Sequence, residues 1–562
     1  MSIFQEHIFN KISIKKEHLL ISIIFLLAVF IRISNDPEIP FHYDPGKNIV
    51  YARAALQWFP LFPQYNPYFN LGEYYEYQVL FPYLIAFLYK ISGFSLLELT
   101  KWLVVIGGAA LSLTVYYLSL EITNNKKSAL ISAFLVAVSK IQLMAYMNYY
   151  PQIIAMTIMP LTFVFLIRYC KFGKFKYLFF AAMMSSLIVL ASYIAAFVYF
   201  IIVLLSLVVY GIKEKRMLKP FLAIPLMTAL LLTFFWLPMV WRHGILTFKE
   251  SFIDRIYDTQ VAFTNAPWTL TNYITFSNST IIAIILGIAA IFFIKKLTWD
   301  FQKILIATWL LITFILMESY ILKPILWVDR YFQFFDIALL LIAGGIMAFF
   351  IEKFNNFNKI RFNYKGYFLL LLLVFPLYGA VNADYAFGKW GYPSDISMLE
   401  YMKTLPSGSL VVAPSGIHSF WVSALSGQNV LAGDSSQMME QTYMGDSDSD
   451  LIINSPDIGR KMEIIRKYGV NYVYISVHRS LYMVWTPLND LKGIEAFNDT
   501  SYFEINKVYE DGYGATILIK IKEDLKPKYN IEKINWNSTA AGYLISIISF
   551  LVFVYLYKIK DL

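Results

Sequence analysis

The residues of this chain whose types can do chemistry sit at the ends of apolar runs. The first is Asp44, in the order Phe41, His42, Tyr43, Asp44, Pro45, Gly46. A carboxylate among aromatics, with Pro and Gly directly behind it, reads as a turn that holds a charge at the mouth of a membrane. It reads equally as the cap of a helix over 47–58, with Pro45 at the first helical position. Glu73 and Glu76 follow in the same loop, interleaved with Tyr74, Tyr75 and Tyr77, a composition that also suits an interfacial aromatic belt. Lys140, Arg242, His243, Glu318, Asp329, Arg330 and Asp336 lie near the ends of later apolar runs. A charge inside a membrane costs about 2.5 to 3.5 kcal/mol on insertion scales, so such residues face a cavity or one another, and some of these line a polar cleft. Each also has a bland role. Asp329 and Arg330 can pair at the interface, Trp241 and Arg242 can anchor a helix end, and Lys140 can snorkel.

Composition determines what must position these groups. The chain has 562 residues, of which 58% are hydrophobic, 18% aromatic and 15% charged, more apolar surface than soluble cores can bury. It reads as a polytopic membrane protein. The net charge of +9 comes from small basic clusters between apolar runs, the pattern of cytoplasmic loops, and calls for no nucleic-acid partner. With Cys170 alone there is no internal disulfide, so any domain outside the membrane depends on its own core. The run over 19–33 carries no small-residue cleavage pattern and reads as an anchoring helix.

Runs of roughly 20 apolar residues, tested against the positive-inside rule, place the elements. A first helix over 19–34 leaves Lys11, Lys15 and Lys16 in the cytoplasm and delivers Asp44 outside, followed by an outer loop over 35–97. The segment 79–92 is apolar but short and contains Pro82. If it dips into the outer leaflet without crossing, every later basic cluster falls on the cytoplasmic side, and that consistency decides the topology. Helices are then expected near 98–120, 128–147, 152–170, 177–192, 194–212, 219–242, 280–295, 301–318, 333–352 and 367–383. With the first and the last, about twelve cross the bilayer. Over 384–540 Gly, Ser, Asp and Asn rise and no run is long enough to cross, so an extracytoplasmic α/β domain is expected there. Strands are predicted over 409–413, 472–477 and 516–521, and a helix over 458–468. The stretch 541–562 returns the chain to the cytoplasm. The chain thus divides into a membrane domain over 1–383, an outer domain over 384–540 and a last helix. Asp446, Asp448 and Asp450 alternate like the first ligands of a calcium loop, but Leu451 stands where Gly belongs, which favours a solvated acidic loop.

The order of these features resembles the GT-C class of membrane glycosyltransferases that use lipid-linked sugars. The resemblance rests on an Asp after the first helix, the short Pro-containing segment 78–93, and the pattern 96–117. It also rests on the stretch 148–168 with Pro151 and Pro160, and on Asp329, Arg330, Tyr331 opening a helix through Gly344 and Gly345. Within the outer domain, Ser415, Gly416, Ile417, His418, Ser419, Phe420, Trp421, Val422, then Val430 through Asp434, are similar to the surroundings of the Trp-Trp-Asp-Tyr-Gly motif of oligosaccharyltransferase catalytic subunits. So is the run 464–475. The Trp-Trp-Asp itself is absent, which puts acceptance of a protein Asn in doubt. The acidic position of the class after its third helix is occupied by Asn148, Tyr149 and Tyr150, so no cofactor is assigned and a divalent cation lacks its second acidic motif.

What the resemblance implies is a mainly α, polytopic helix bundle with an extracytoplasmic α/β domain before the last helix. Its partners are a polyprenyl-phosphate-linked sugar, a glycan, lipid or protein acceptor, and membrane lipid. A lipid phosphate is already a good leaving group and needs positive charge instead of a proton donor, so the acid of a glycosidase pair is dispensable. Asp44 then acts as general base on an acceptor hydroxyl, with inversion at the sugar. Arg330, Arg242 and Lys140 hold the donor phosphate. Glu73, Glu76, His42, His243 and Trp421 contact substrate. Two other functions use the same residues: a transporter or flippase of lipid-linked saccharides, and an inactive relative. A transporter is expected to carry internal repeats, and no convincing repeat relates the two halves.

Overall fold

The computed structural model describes residues 16–34, 43–63, 65–68, 73–74, 78–143, 149–244, 300–317, 328–356, 377, 393–413, 420–431, 448–478, 491–512, 514–528 and 536–560. Six helices are long and apolar enough to cross a membrane, or seven if one bent pair is a single span, among the described residues. The expected helices at 280–295 and 367–383 lie outside them.

Helix α1 (Lys16–Ser34) packs on α4 (Leu96–Thr123). Between them come α2 (Tyr43–Trp58), the short strand pair β1 (Tyr65–Asn66) and β2 (Glu73–Tyr74), and α3 (Leu80–Ser92). With 13 residues α3 reaches about 20 Å, too short to cross a bilayer. It ends at Gly93, in the left-handed conformation that closes a helix. Ser95 and Glu98 then form a reciprocal capping box that starts α4, so the turn is written locally. Asn124 and Asn125 make the next turn in the same way, one closing α4 in a left-handed conformation and the other capping α5 (Lys126–Ala137).

The expected single helix over 128–147 is not continuous. Helix α5 stops at Ala137, and a new turn takes in Lys140 and Gln142 after the break at Ser139. The reason is polar: Ser139 and Gln142 turn toward a buried carboxylate described below. Helices α6 (Tyr150–Phe172), α7 (Phe175–Ala191) and α8 (Tyr193–Lys213) follow, with Ser192 alone separating the last two and capping α8. The expected helix over 219–242 is instead α9 (Leu218–Leu231) and α10 (Thr233–His243), bent by 74°. Pro225 and Pro238 weaken the backbone ladder on either side of the break. Helix α11 (Phe301–Met317) packs on α12 (Val328–Asn356), whose apolar window is the most buried of the six. Gly344 of α12 lies so close to α5 that a methyl there would stand 2.7 Å from the Ser132 amide nitrogen.

Outside the bundle, α13 (Pro393–Met402) leads into a five-stranded sheet ordered β4, β3, β5, β7, β6. Its strands are β3 (Leu410–Val412), β4 (Asn429–Leu431), β5 (Tyr472–His478), β6 (Phe503–Asp511) and β7 (Gly514–Ile521). The first three are mutually parallel and β7 runs antiparallel to both of its neighbours. The predicted helix over 458–468 is α15, after the short α14 (Asp448–Asn454); Asp457 caps it and Gly469 closes it. Asp448 and Asp450 lie in the first turn of α14, and Asp448 accepts from Lys467 at 2.7 Å and from Tyr468 at 2.5 Å. Asp446 lies outside the described residues, and no group of three metal-ligating side chains occurs among them. The last helix, α16 (Trp536–Lys560), returns to pack on α10.

Candidate active site

Asp44 is the second residue of α2, with Pro45 in the same first turn. The helix starts earlier than the expected 47–58, at Tyr43, so Asp44 lies inside the first turn instead of capping it, where a carboxylate is favoured by the helix dipole. The Asp44 side chain lies outside the described residues. So do His42 and Glu76 entirely, and the side chains of Glu73 and His243.

The turn after Asp44 is well placed. Ile49 and Val50 are buried in one apolar cluster with Phe81 and Ile85 of α3, Tyr150 and Ile153 of α6, and Phe420 and Trp421 of the outer domain. Trp421 is 1% exposed, and its indole lies against Gly46, where an added methyl would stand 3.1 Å from Cε2 and Nε1. The Lys47 ammonium lies 5.6 Å from the Phe420 ring centre, and both Lys47 and Asn48 are buried. Four sequence-distant elements therefore meet beside the start of α2.

Arg330 reaches the same neighbourhood from α12. Its guanidinium lies 4.3 Å from the centre of the Tyr149 ring, one residue before Tyr150 of the shared cluster. A cation over an aromatic face is held in orientation by the ring quadrupole. Behind it runs a buried polar network that the sequence reading did not assemble. The Gln152 amide donates to the Gln333 side-chain oxygen at 2.6 Å and to the Arg330 carbonyl at 3.4 Å. Gln142 donates to the Gln333 carbonyl and to the Asp336 carboxylate, each at 2.9 Å, and the Ser139 hydroxyl donates to the same carboxylate at 2.6 Å. Asp336 is fully buried. The signal was present, since three glutamines interrupt apolar runs, but nothing local says that they meet.

Lys140 is half-buried beside Ser139 at the break in the chain, and Arg242 is half-buried in the last turn of α10, next to the exposed Trp241. Neither belongs to the cluster around Tyr150. Arg32, which the sequence reading did not single out, is 1% exposed at the end of α1 and presses on Gly108 of α4.

No family model matches the chain, and no curated protein matches it by sequence. Solved structures match it in three dimensions. The archaeal oligosaccharyltransferase AglB from Archaeoglobus fulgidus, in complex with an inhibitory peptide and a dolichol-phosphate, aligns with a TM-score of 0.56 at 15% identity, over 82% of this chain and 69% of that one. ArnT from Cupriavidus metallidurans bound to undecaprenyl phosphate aligns with a TM-score of 0.56 at 10% identity, over 91% of this chain and 99% of that one. The chain has the GT-C fold. The mycobacterial arabinofuranosyltransferase AftD shares it at a TM-score of 0.54 and 13% identity, over 90% of this chain and 40% of that one. The GT-C resemblance read from segment 78–93 and its neighbours is thereby borne out as fold, in a multi-pass membrane protein. In this GT-C fold the first outer helix, the start of α6 and the outer domain share one buried cluster, and Arg330 of α12 lies over Tyr149, the residue before α6.

Proposed function

We propose that the chain is a glycosyltransferase that moves a sugar from a polyprenyl-phosphate donor to an acceptor hydroxyl on the extracytoplasmic face. The observation that carries this reading is the Asp44 helix seated against Trp421 of the outer domain, in a fold shared with ArnT bound to undecaprenyl phosphate and AglB bound to dolichol-phosphate. Asp44 takes the proton of the acceptor as its oxygen attacks the anomeric carbon. The bond from that carbon to the phosphate oxygen breaks on the opposite face, which inverts the centre. The electron pair leaves with the phosphate, whose charge Arg330 holds, assisted by Arg242 and Lys140. Glu73, Glu76, His42 and His243 border the sugar and acceptor, whereas Trp421, 1% exposed, is enclosed by protein and has no surface left for substrate. The extracytoplasmic domain over 384–540 caps this side of the membrane, and both described chain ends face the cytoplasm.

The test is sugar transfer in reconstituted vesicles from a pool of radiolabelled polyprenyl-phosphate sugars, comparing the native chain with Asp44→Asn at equal folded yield. Loss of a general base lowers the rate by roughly 10² to 10⁴. Equal transfer by both forms would remove Asp44 from the reaction. Labelled lipid crossing the bilayer with no transfer in either form would favour a transporter.

A further inference from the structure

The outer domain does more than cover the start of α2: it grips one face of that helix along its length. Gly46, Ile49, Val50 and Arg53 fall on one stripe, at spacings of three, four and seven residues. Each meets the segment 420–427. At Gly46 the contact is the Trp421 indole, close enough that a methyl would stand 3.1 Å from Cε2 and Nε1 and 3.2 Å from Cδ2. Ile49 and Val50 belong to the same buried apolar cluster as Phe420, Trp421 and Ala424. Two turns below Gly46, Arg53 donates to the Ala424 carbonyl at 3.0 Å. Its guanidinium passes so near Gly427 that a methyl there would stand 3.2 Å from the terminal nitrogen. Beyond the helix, the Val430 amide donates to the Tyr68 carbonyl at 3.1 Å, so the strand that follows 420–427 is tied to the chain that follows α2.

The grip has a steric consequence. Trp421 is 1% exposed and Val422 and Ser423 behind it are fully buried, so the indole has little room to retreat. Asp44 stands two residues before Gly46, in the same helical turn. A displacement of Gly46 is therefore a displacement of Asp44. Apolar contact holds the helix rotation at one end, and the Arg53 bond fixes its height at the other.

We propose that Trp421 is a positioning residue for Asp44, seating the first turn of α2 through Gly46 so that the outer domain sets where the catalytic carboxylate stands. This rests on the reading of Asp44 as general base. A methyl at Gly46 would stand 3.1 Å from the indole, so the helix or the ring has to give by a few tenths of an ångström, and Arg53 is the second fixed point of the same clamp.

The experiment is allele-specific compensation in the full-length protein. Native chain, Gly46→Ala, Trp421→Leu and the double variant are compared at equal folded yield in the vesicle assay, with donor concentration varied. Trp421→Leu removes Cε2 and Nε1, the atoms that the new methyl would meet. A misplacement of about 1 Å can cost on the order of 10²-fold in rate. Gly46→Ala, which asks for a few tenths of an ångström, is accordingly expected to lower turnover by roughly threefold to tenfold with donor KM unchanged, and the double variant to turn over faster than Gly46→Ala alone. Native turnover in Gly46→Ala, or a double variant no faster than that single one, overturns the proposal. Asp44→Asn separates the two levels. If it keeps native turnover, the general-base reading falls; if it is inactive while Gly46→Ala is silent, only the clamp falls. A second measurement needs no substrate. Amide hydrogen exchange over 47–53, the first amides of α2 that have a helical partner one turn back, is expected to rise in Gly46→Ala and to recover in the double variant, and unchanged exchange in both would equally overturn the clamp.

Discussion

An amide or carboxylate inside an apolar bundle stays only where it finds partners, because leaving one unpaired costs about 1 to 3 kcal/mol. Gln142, Gln152 and Gln333 find one another and Asp336 by this rule, which ties the starts of α6 and α12 to the broken end of α5. Lys461 solves the same problem outside the membrane. Its ammonium donates to the carbonyls of Ile452, Ile453 and Gly493 at 2.5, 3.1 and 2.9 Å and lies 4.1 Å from the centre of the Phe497 ring. Those partners favour the charge and burial opposes it, bringing the group down to about 7. In the unfolded chain a lysine titrates near 10.4. Between about 7 and 10.4 the unfolded state binds a proton that the folded state does not, so the contribution of Lys461 to stability rises with pH across that window. Thermal melting of the full chain at a series of pH values is expected to show this rise, and Lys461→Met to flatten it. An unaltered profile in the variant would mean that Lys461 stays charged when folded.

At the scale of elements, close helix contact depends on small residues, since lipid is as apolar as a leucine surface and offers helices no hydrophobic reason to associate. Helices α5 and α12 use Ser128, Ser132 and Gly344. A methyl on Gly344 would stand 2.7 Å from the Ser132 amide nitrogen and 2.9 Å from the Ser128 carbonyl oxygen, and backbone atoms cannot step aside. On Gly345, one residue along, the nearest atom would be 3.7 Å away. Gly344→Ala is therefore expected to cost about 1 to 3 kcal/mol, the usual range for overpacking, and Gly345→Ala next to nothing. Melting curves of the two variants in one detergent check this, and equal midpoints would contradict the close approach. The broken helix α9 and α10 uses the same device against α16, where a methyl on Gly542 would stand 2.8 Å from the Thr233 carbonyl oxygen.

Over the whole molecule, burial sorts the spans. Helices α1 and α16 leave most of their apolar surface exposed, whereas α12 is largely enclosed by its neighbours. Exposed Ile23, Leu26 and Phe30 on α1, and Leu544, Ile548 and Leu551 on α16, face the place where lipid belongs. A carbene reagent dissolved in the bilayer is expected to label α1 and α16 heavily and α12 little, as read by peptide mass spectrometry; heavy labelling of Phe334 or Ile337 would contradict the packing. How much of this was legible beforehand depended on whether the cause was local. Run length and composition by themselves determined a multi-pass membrane protein, the short α3, and a mixed domain before the last helix, because transfer of apolar surface and backbone satisfaction act residue by residue. The helix over 458–468 was legible for the same reason, since its apolar period, its Asp457 cap and its closing Gly469 all lie within one stretch. Strand β6 was not, because Glu504, Lys507 and Glu510 make an edge strand read as a polar loop. Nor was the break at Ser139, where partners far along the chain outweigh helix propensity. For the candidate site the sequence alone singled out Asp44, Arg330 and Trp421. Only tertiary structure decided that Trp421 bears on Gly46, that Tyr149 holds Arg330, and that Gln142 joins Gln333 to a buried carboxylate while Gln152 bonds Gln333, because these contacts join residues far apart in the chain and no local preference encodes them.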